Sequence, residues 1–106
     1  MNNIRVIIKH PGKPPEEADL EIGQDEGVKA ISEIVGGYFE MVDLTLIADK
    51  IMLFCNEEGN RLGLAPNFVL LNEVILGPVV IFQRRDPDMA SLTPAQILKI
   101  KKFFGD

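Results

Sequence analysis

The sequence predicts an α+β fold, a mixed and largely antiparallel sheet carrying two helices. Three observations lead there. Apolar runs of strand length recur at Ile4–Ile8, Ile51–Cys55 and Val74–Phe82. The segment Ala18–Ile22 alternates apolar with acidic residues, as a half-solvated strand does. Two segments with helical apolar spacing carry start and stop signals, one near Glu26–Val35 and one following Thr93. With 106 residues, 46% apolar and 25% charged, the whole chain reads as one domain able to bury a core without disulfides or metal.

Taken in order, Ile4–Ile8 and Ala18–Ile22 form a hairpin whose connection, His10 to Glu17, is a Pro- and Gly-rich surface loop. A helix follows from about Glu26 to Val35, with Asp25 as N-cap, an inward face of Val28, Ile31, Ile34 and Val35, and Gly36 at its left-handed end. This opening resembles the element order of the ubiquitin-like β-grasp. Tyr38–Val42 and Leu44–Ile47 read as strand, turning at Ala48–Lys50 into Ile51–Cys55. Asn56-Glu-Glu-Gly59 reads as a hairpin turn, with Gly59 taking the positive φ and Asn56 bonding local amides. Phe68–Leu71 is a short strand or one helical turn, and Val74–Phe82 is one strand bent at Gly77-Pro78, because proline has no amide hydrogen for a ladder. A loop runs from Arg84 to Met89. The last helix opens on a capping box, Thr93 with Gln96, has Pro94 in its first position, and staples Leu92 onto Ile97. Its apolar face is Ile97, Ile100, Phe103 and Phe104, and its lysines sit where the negative end of the helix dipole favours cations.

The net charge of -5 argues against a nucleic-acid partner. The acids are unevenly placed, since Lys29 is the one base between Glu16 and Asp43. Such a face keeps a protein soluble, or docks a basic partner. A single cysteine fits a reducing compartment, the amino end lacks the pattern of a secretory leader, and no apolar run approaches the roughly 18 residues of a membrane span. A cytoplasmic protein with no membrane partner is expected.

The polar stretch Cys55–Asn67, between two apolar runs, is where side chains can gather into a site. Glu57 and Glu58 could split acid and base roles, although neighbours on a strand point to opposite faces and a turn explains them as well. Cys55 at the end of an apolar strand reads as a buried, inert thiol. Arg61 and the Arg84-Arg85 pair offer planar forks for a phosphate or carboxylate, and Asn67, held by Pro66, suits gripping a loop or a ligand. Tyr38, Asn56, Glu57, Glu58, Arg61, Asn67 and Arg84 are therefore the candidate binding residues. No ligand set for a metal, no cofactor motif and no catalytic constellation is recognisable.

Four ordered motifs, Val35-Gly-Gly-Tyr38, Cys55-Asn-Glu-Glu-Gly59, Leu62-Gly-Leu-Ala-Pro-Asn67 and Gly77-Pro-Val-Val80, then a Ser-Leu-Thr helix start, resemble a family of small domains of unknown function met in phages, plasmids and other bacterial mobile elements. The resemblance spans Ile4 to Phe104 and departs at Leu44–Ala48, where a shorter, more polar segment is expected. It implies an accessory role and no catalytic residues. The reading preferred is a non-catalytic binding protein, acting on a host protein or a small anionic ligand such as a nucleotide signal, with homo-oligomerisation left open. The alternatives are a small hydrolase using Glu57 or Glu58, and an acidic decoy of nucleic acid.

Overall fold

The computed structural model describes residues 2–105. The first hairpin pairs β1 (Asn2–Lys9) with β2 (Glu16–Ile22), Val6 lying opposite Ala18 and Ile4 opposite Leu20. After α1 (Val28–Val35), β3 (Phe39–Asp43) pairs with β4 (Ile51–Asn56). A one-turn helix, α2 (Gly59–Leu62), leads to a separate two-stranded hairpin of β5 (Pro66–Leu70) and β6 (Glu73–Leu76). The long β7 (Val79–Arg85) returns to the main sheet, carries the short β8 (Asp88–Ala90), and is followed by α3 (Pro94–Phe103). The strand order is β2-β1-β7-β4-β3 with β8 beside β7, and every pairing is antiparallel.

Strand parity explains the burial. Val80 and Phe82 of β7, with Val6 and Met52, face α1 and meet Ile31 and Val35. Val79 and Ile81, with Ile7 and Leu53, face the opposite way and meet Ile100 of α3 and Ile75 of β6. Because both faces are covered, Ile51–Cys55 of β4 and Val79–Phe82 of β7 are continuously apolar instead of alternating. The solvated edge β2 keeps its alternation, and two of its outward acids are held by bases: Asp19 by Arg5 at 3.1 Å and Glu17 by Lys101 at 2.8 Å.

Five local expectations are corrected. The first helix begins at Val28, since Glu26 and Gly27 are left-handed, at φ 58 and 82. Asp25 still serves that helix, accepting from the amides of Gly27 at 3.1 Å and Lys29 at 3.0 Å; a side chain at Gly27 would put its Cβ 2.8 Å from Ile22 Cδ1. Val28, expected inside, is 51% exposed. Leu44–Ile47 is not strand: the Asp43 carboxylate accepts from the Thr45 amide at 2.7 Å and hydroxyl at 2.6 Å, turning the chain so that Leu44 is buried under the sheet. Gly59 is not the left-handed residue of a hairpin turn; it opens α2, and Gly63, at φ 67, ends it. Finally, Val74–Phe82 is two strands in two sheets. Gly77, at φ 77, gives its amide to the Ala65 carbonyl at 2.8 Å and redirects the chain before Pro78.

The closing helix forms as its capping box requires. Thr93 accepts from the Gln96 amide at 3.2 Å, and Gln96 accepts in return from the Thr93 amide at 2.8 Å. Phe104 meets Phe68 edge-on at 5.0 Å, fastening this helix to β5.

Candidate functional site

Two of the candidate binding residues, Asn56 and Asn67, are occupied inside the fold. The Asn56 side chain is buried at the end of β4. Its Nδ2 donates to the Val35 carbonyl at 3.0 Å, and its Oδ1 accepts from the Glu58 amide at 2.7 Å, so one amide closes the C-terminus of α1 and the start of α2. Asn67 joins three segments. Its Nδ2 donates to the carbonyls of Lys9 at 2.7 Å and Gly77 at 2.8 Å, and its Oδ1 accepts from Lys9 Nζ at 3.0 Å. Lys9 is itself buried, also donating to the His10 carbonyl at 3.0 Å and lying 5.4 Å from the centre of the Phe104 ring. Desolvation lowers its pKa. Asn56 and Asn67, both candidate binding residues from the sequence, thus do not offer free amides to a ligand, because each satisfies backbone carbonyls instead.

Arg61 and Arg84 stay accessible but lie apart. Arg61 Nε donates to Glu58 at 2.9 Å, one turn away on α2. Arg84 pairs with Asp86 beside the mouth of a different cleft, of about 570 Å³, whose lining holds Asp43, Asp49 and Asp86 against Lys50, Arg84 and Arg85. That balance leaves no net positive field for an anion. Arg84 is also remote from the polar stretch: Gln83 lies opposite Ile51, at the far end of β4 from Asn56, a strand length of roughly 17 Å.

Tyr38, Asn56 and Glu57 do come together. The Glu57 amide donates to the Tyr38 carbonyl at 3.0 Å, directly before β3, and the Tyr38 ring is 76% exposed. Here the outer flank of β3 and β4 faces β6 across a cleft of about 410 Å³. Glu40, Glu57 and Glu73 line it and no basic residue does. Cys55 lies within, its Sγ 4.0 Å from Glu40 Oε1. Burial, with the nearby Glu40 charge adding to it, pushes this thiol up to about 11, which keeps it protonated and a poor nucleophile.

A third concavity lies on the α1 side. Helix α1, with 8 residues, is about 12 Å long, whereas five strands span roughly 19 Å. It cannot cover the face, and the uncovered part is a groove of about 470 Å³ floored by Phe39 and Phe54 and walled by Val28 and Met89. Phe54 stacks on Phe82 at 4.6 Å and meets Phe39 edge-on at 4.9 Å.

A family profile matches residues 4–105. The chain belongs to DUF3846, a domain of unknown function. Among curated proteins and among solved structures, nothing matches it. Membership in DUF3846 assigns no reaction and no site, so the candidates rest on geometry. Among the described residues no group of three or more His, Cys, Asp or Glu is placed to hold a metal, and no helix is long and apolar enough to cross a membrane.

Sequence reasoning did not single out Glu40, Glu73 or Lys9. For Lys9 a signal existed: it shares parity with Ile7, whose side must be core if Val6 faces the helix. For Glu40 and Glu73 none did, since the two strands that carry them are brought face to face only by the break at Gly77.

Proposed function

We propose that this chain is a non-catalytic binding protein, an accessory of a phage or other mobile element, that captures a host protein through a cationic segment. The observation that carries this reading is the cleft between β3 and β6, where Glu40, Glu57 and Glu73 gather with no basic residue in the lining. Arg5 and Lys101 pair with Asp19 and Glu17 of β2, whereas Glu40, Glu57 and Glu73 make no ion pair among the described residues, which leaves their charge to attract a cation. The small anionic ligand is less well supported, because Arg84 is held by Asp86 and Arg61 by Glu58. The same Arg61 contact works against Glu58 as a hydrolytic base, since it holds the carboxylate in an ion pair.

Exposed ion pairs contribute about 0.2–1 kcal/mol each, so three of them supply at most about 3 kcal/mol, where a micromolar complex needs about 8. Charge selects the partner and speeds its arrival, while other contacts hold it.

The test is calorimetric titration with a capped lysine–valine peptide at low and high salt. Binding is expected to weaken as salt rises and to be lost in the combined Glu40→Gln, Glu57→Gln and Glu73→Gln variant, but to persist in a Glu16→Gln, Glu33→Gln control. Equal loss in the control, or no binding by the wild type, overturns the assignment.

A further inference from the structure

The backbone of β3 forms an outer edge of the main sheet. The Glu57 amide bonds to the Tyr38 carbonyl at 3.0 Å and the Leu44 amide to the Ile51 carbonyl at 3.1 Å, and both pairs fit the β3–β4 register. In an antiparallel ladder, residues that bond the neighbouring strand alternate with residues whose backbone groups turn away. Glu40 and Val42 therefore bond β4, and Phe39, Met41 and Asp43 present their N–H and C=O groups to the open side. The strand has no proline, no lysine and no bulge to blunt this edge.

Its side chains follow the same alternation. Phe39, Met41 and Asp43 lie on the α1 side, opposite Asn56, Phe54 and Met52, beside the groove floored by Phe54. Met41 is 44% exposed there, a flexible apolar side chain suited to an adaptable contact. Glu40 points the other way, into the acidic cleft, and makes no ion pair among the described residues.

We propose, resting on the reading above, that the captured segment binds as an added antiparallel strand on β3, with basic residues opposite Glu40 and Asp43 and apolar residues opposite Phe39 and Met41. Main-chain bonds from three outward residues supply the affinity that surface charge cannot, and the alternating side chains supply selectivity. A second copy of this chain is a poor occupant, because it would bring one acid-bearing edge against another. Read from its amino end, the incoming strand has the pattern basic, small, apolar, basic, apolar.

A capped peptide Lys-Thr-Val-Lys-Val serves as the probe, with amide hydrogen exchange and titration as readouts. Exchange at Phe39, Met41 and Asp43 is expected to slow at least tenfold on binding. Met41→Pro, which removes an outward N–H without taking a bond from the β3–β4 ladder, is expected to weaken binding at least tenfold relative to a Met41→Ala control that loses the side chain alone, and so is N-methylation of the peptide's two valines with the protein unchanged. If both bind as the parents do while the triple Glu→Gln variant does not, strand addition is overturned and the cationic docking reading stands. If the triple variant also binds normally, both fall. Concentration-dependent dimerisation that buries the β3 amides without peptide would likewise overturn the proposed occupant.

Discussion

Replacing Asn67 by alanine should cost this protein a large share of its stability while touching no outward binding surface. The side chain makes two neutral hydrogen bonds, to the Lys9 and Gly77 carbonyls, and one charge-assisted bond from Lys9 Nζ. A neutral bond contributes about 1 kcal/mol and a charge-assisted one about 1.5–3. Lys9 keeps the His10 carbonyl at 3.0 Å, which places the third bond at the lower end. The sum is roughly 3–4 kcal/mol, against a total of about 5–15 for a domain. At about 4–8 °C per kcal/mol for a chain near this size, the melting temperature should drop by at least about 12 °C. Urea denaturation followed by far-UV circular dichroism reads the change as a lower midpoint with an unaltered slope. A loss below about 1 kcal/mol for Asn67→Ala would refute the clasp and return this residue to the list of free binding groups.

Asn56→Ala leaves the Val35 carbonyl and the Glu58 amide without their partner and should cost about 1–3 kcal/mol, again by denaturation, with α1 the first element to lose exchange protection. Thr93→Ala removes the acceptor of the capping box and should cost about 1 kcal/mol, with amide exchange rising in the first turn of α3. Glu17, Asp25 and Asp43 have folded pKa values below their ordinary ones, held down by the Lys101 ammonium, the Lys29 and Gly27 amides, and the Thr45 hydroxyl and amide respectively. Their contribution is complete above the ordinary values of 4.5 and 3.8 and is lost as pH falls through the folded ones, so thermal melts should be level near neutrality and decline below about pH 4. An Asp25→Asn variant should show a shallower decline. Cys55, with its thiol pushed up to about 11, should react with iodoacetamide at neutral pH at least about a hundredfold more slowly than a free cysteine, and at the ordinary rate once urea unfolds the chain. Labelling at the ordinary rate in the folded protein would show that the thiol is open.

What could be read from the amino acids alone is whatever a few neighbouring residues decide. The Thr93–Gln96 box, the left-handed glycine after α1 and the alternation in β2 are each settled within one turn or a few residues of strand, and each forms as its chemistry requires. Competition between local signals is where the reading fails. Leu44–Ile47 has strand-forming residues, yet the Asp43 carboxylate, two residues from Thr45, bends them into a turn that buries Leu44. Val74–Phe82 has the strongest strand signal, yet the left-handed Gly77 shares it between two sheets.

The candidate site was legible only in part, for a related reason. Tyr38 and Glu57 were singled out from the sequence and lie together. Their acidic companions Glu40 and Glu73 were not, and Asn56 and Asn67 proved to be occupied within the fold. An asparagine on paper can hold a ligand or a carbonyl with equal ease. Which it holds depends on what arrives beside it, and here Lys9, 58 positions away, and Val35, 21 positions away, arrive with unsatisfied backbone. Composition and spacing set the elements and the acidic balance of this protein. The assignment of each polar side chain to clasp or to surface waited for tertiary contact, because burying an unpaired carbonyl costs more than leaving an amide in water gains.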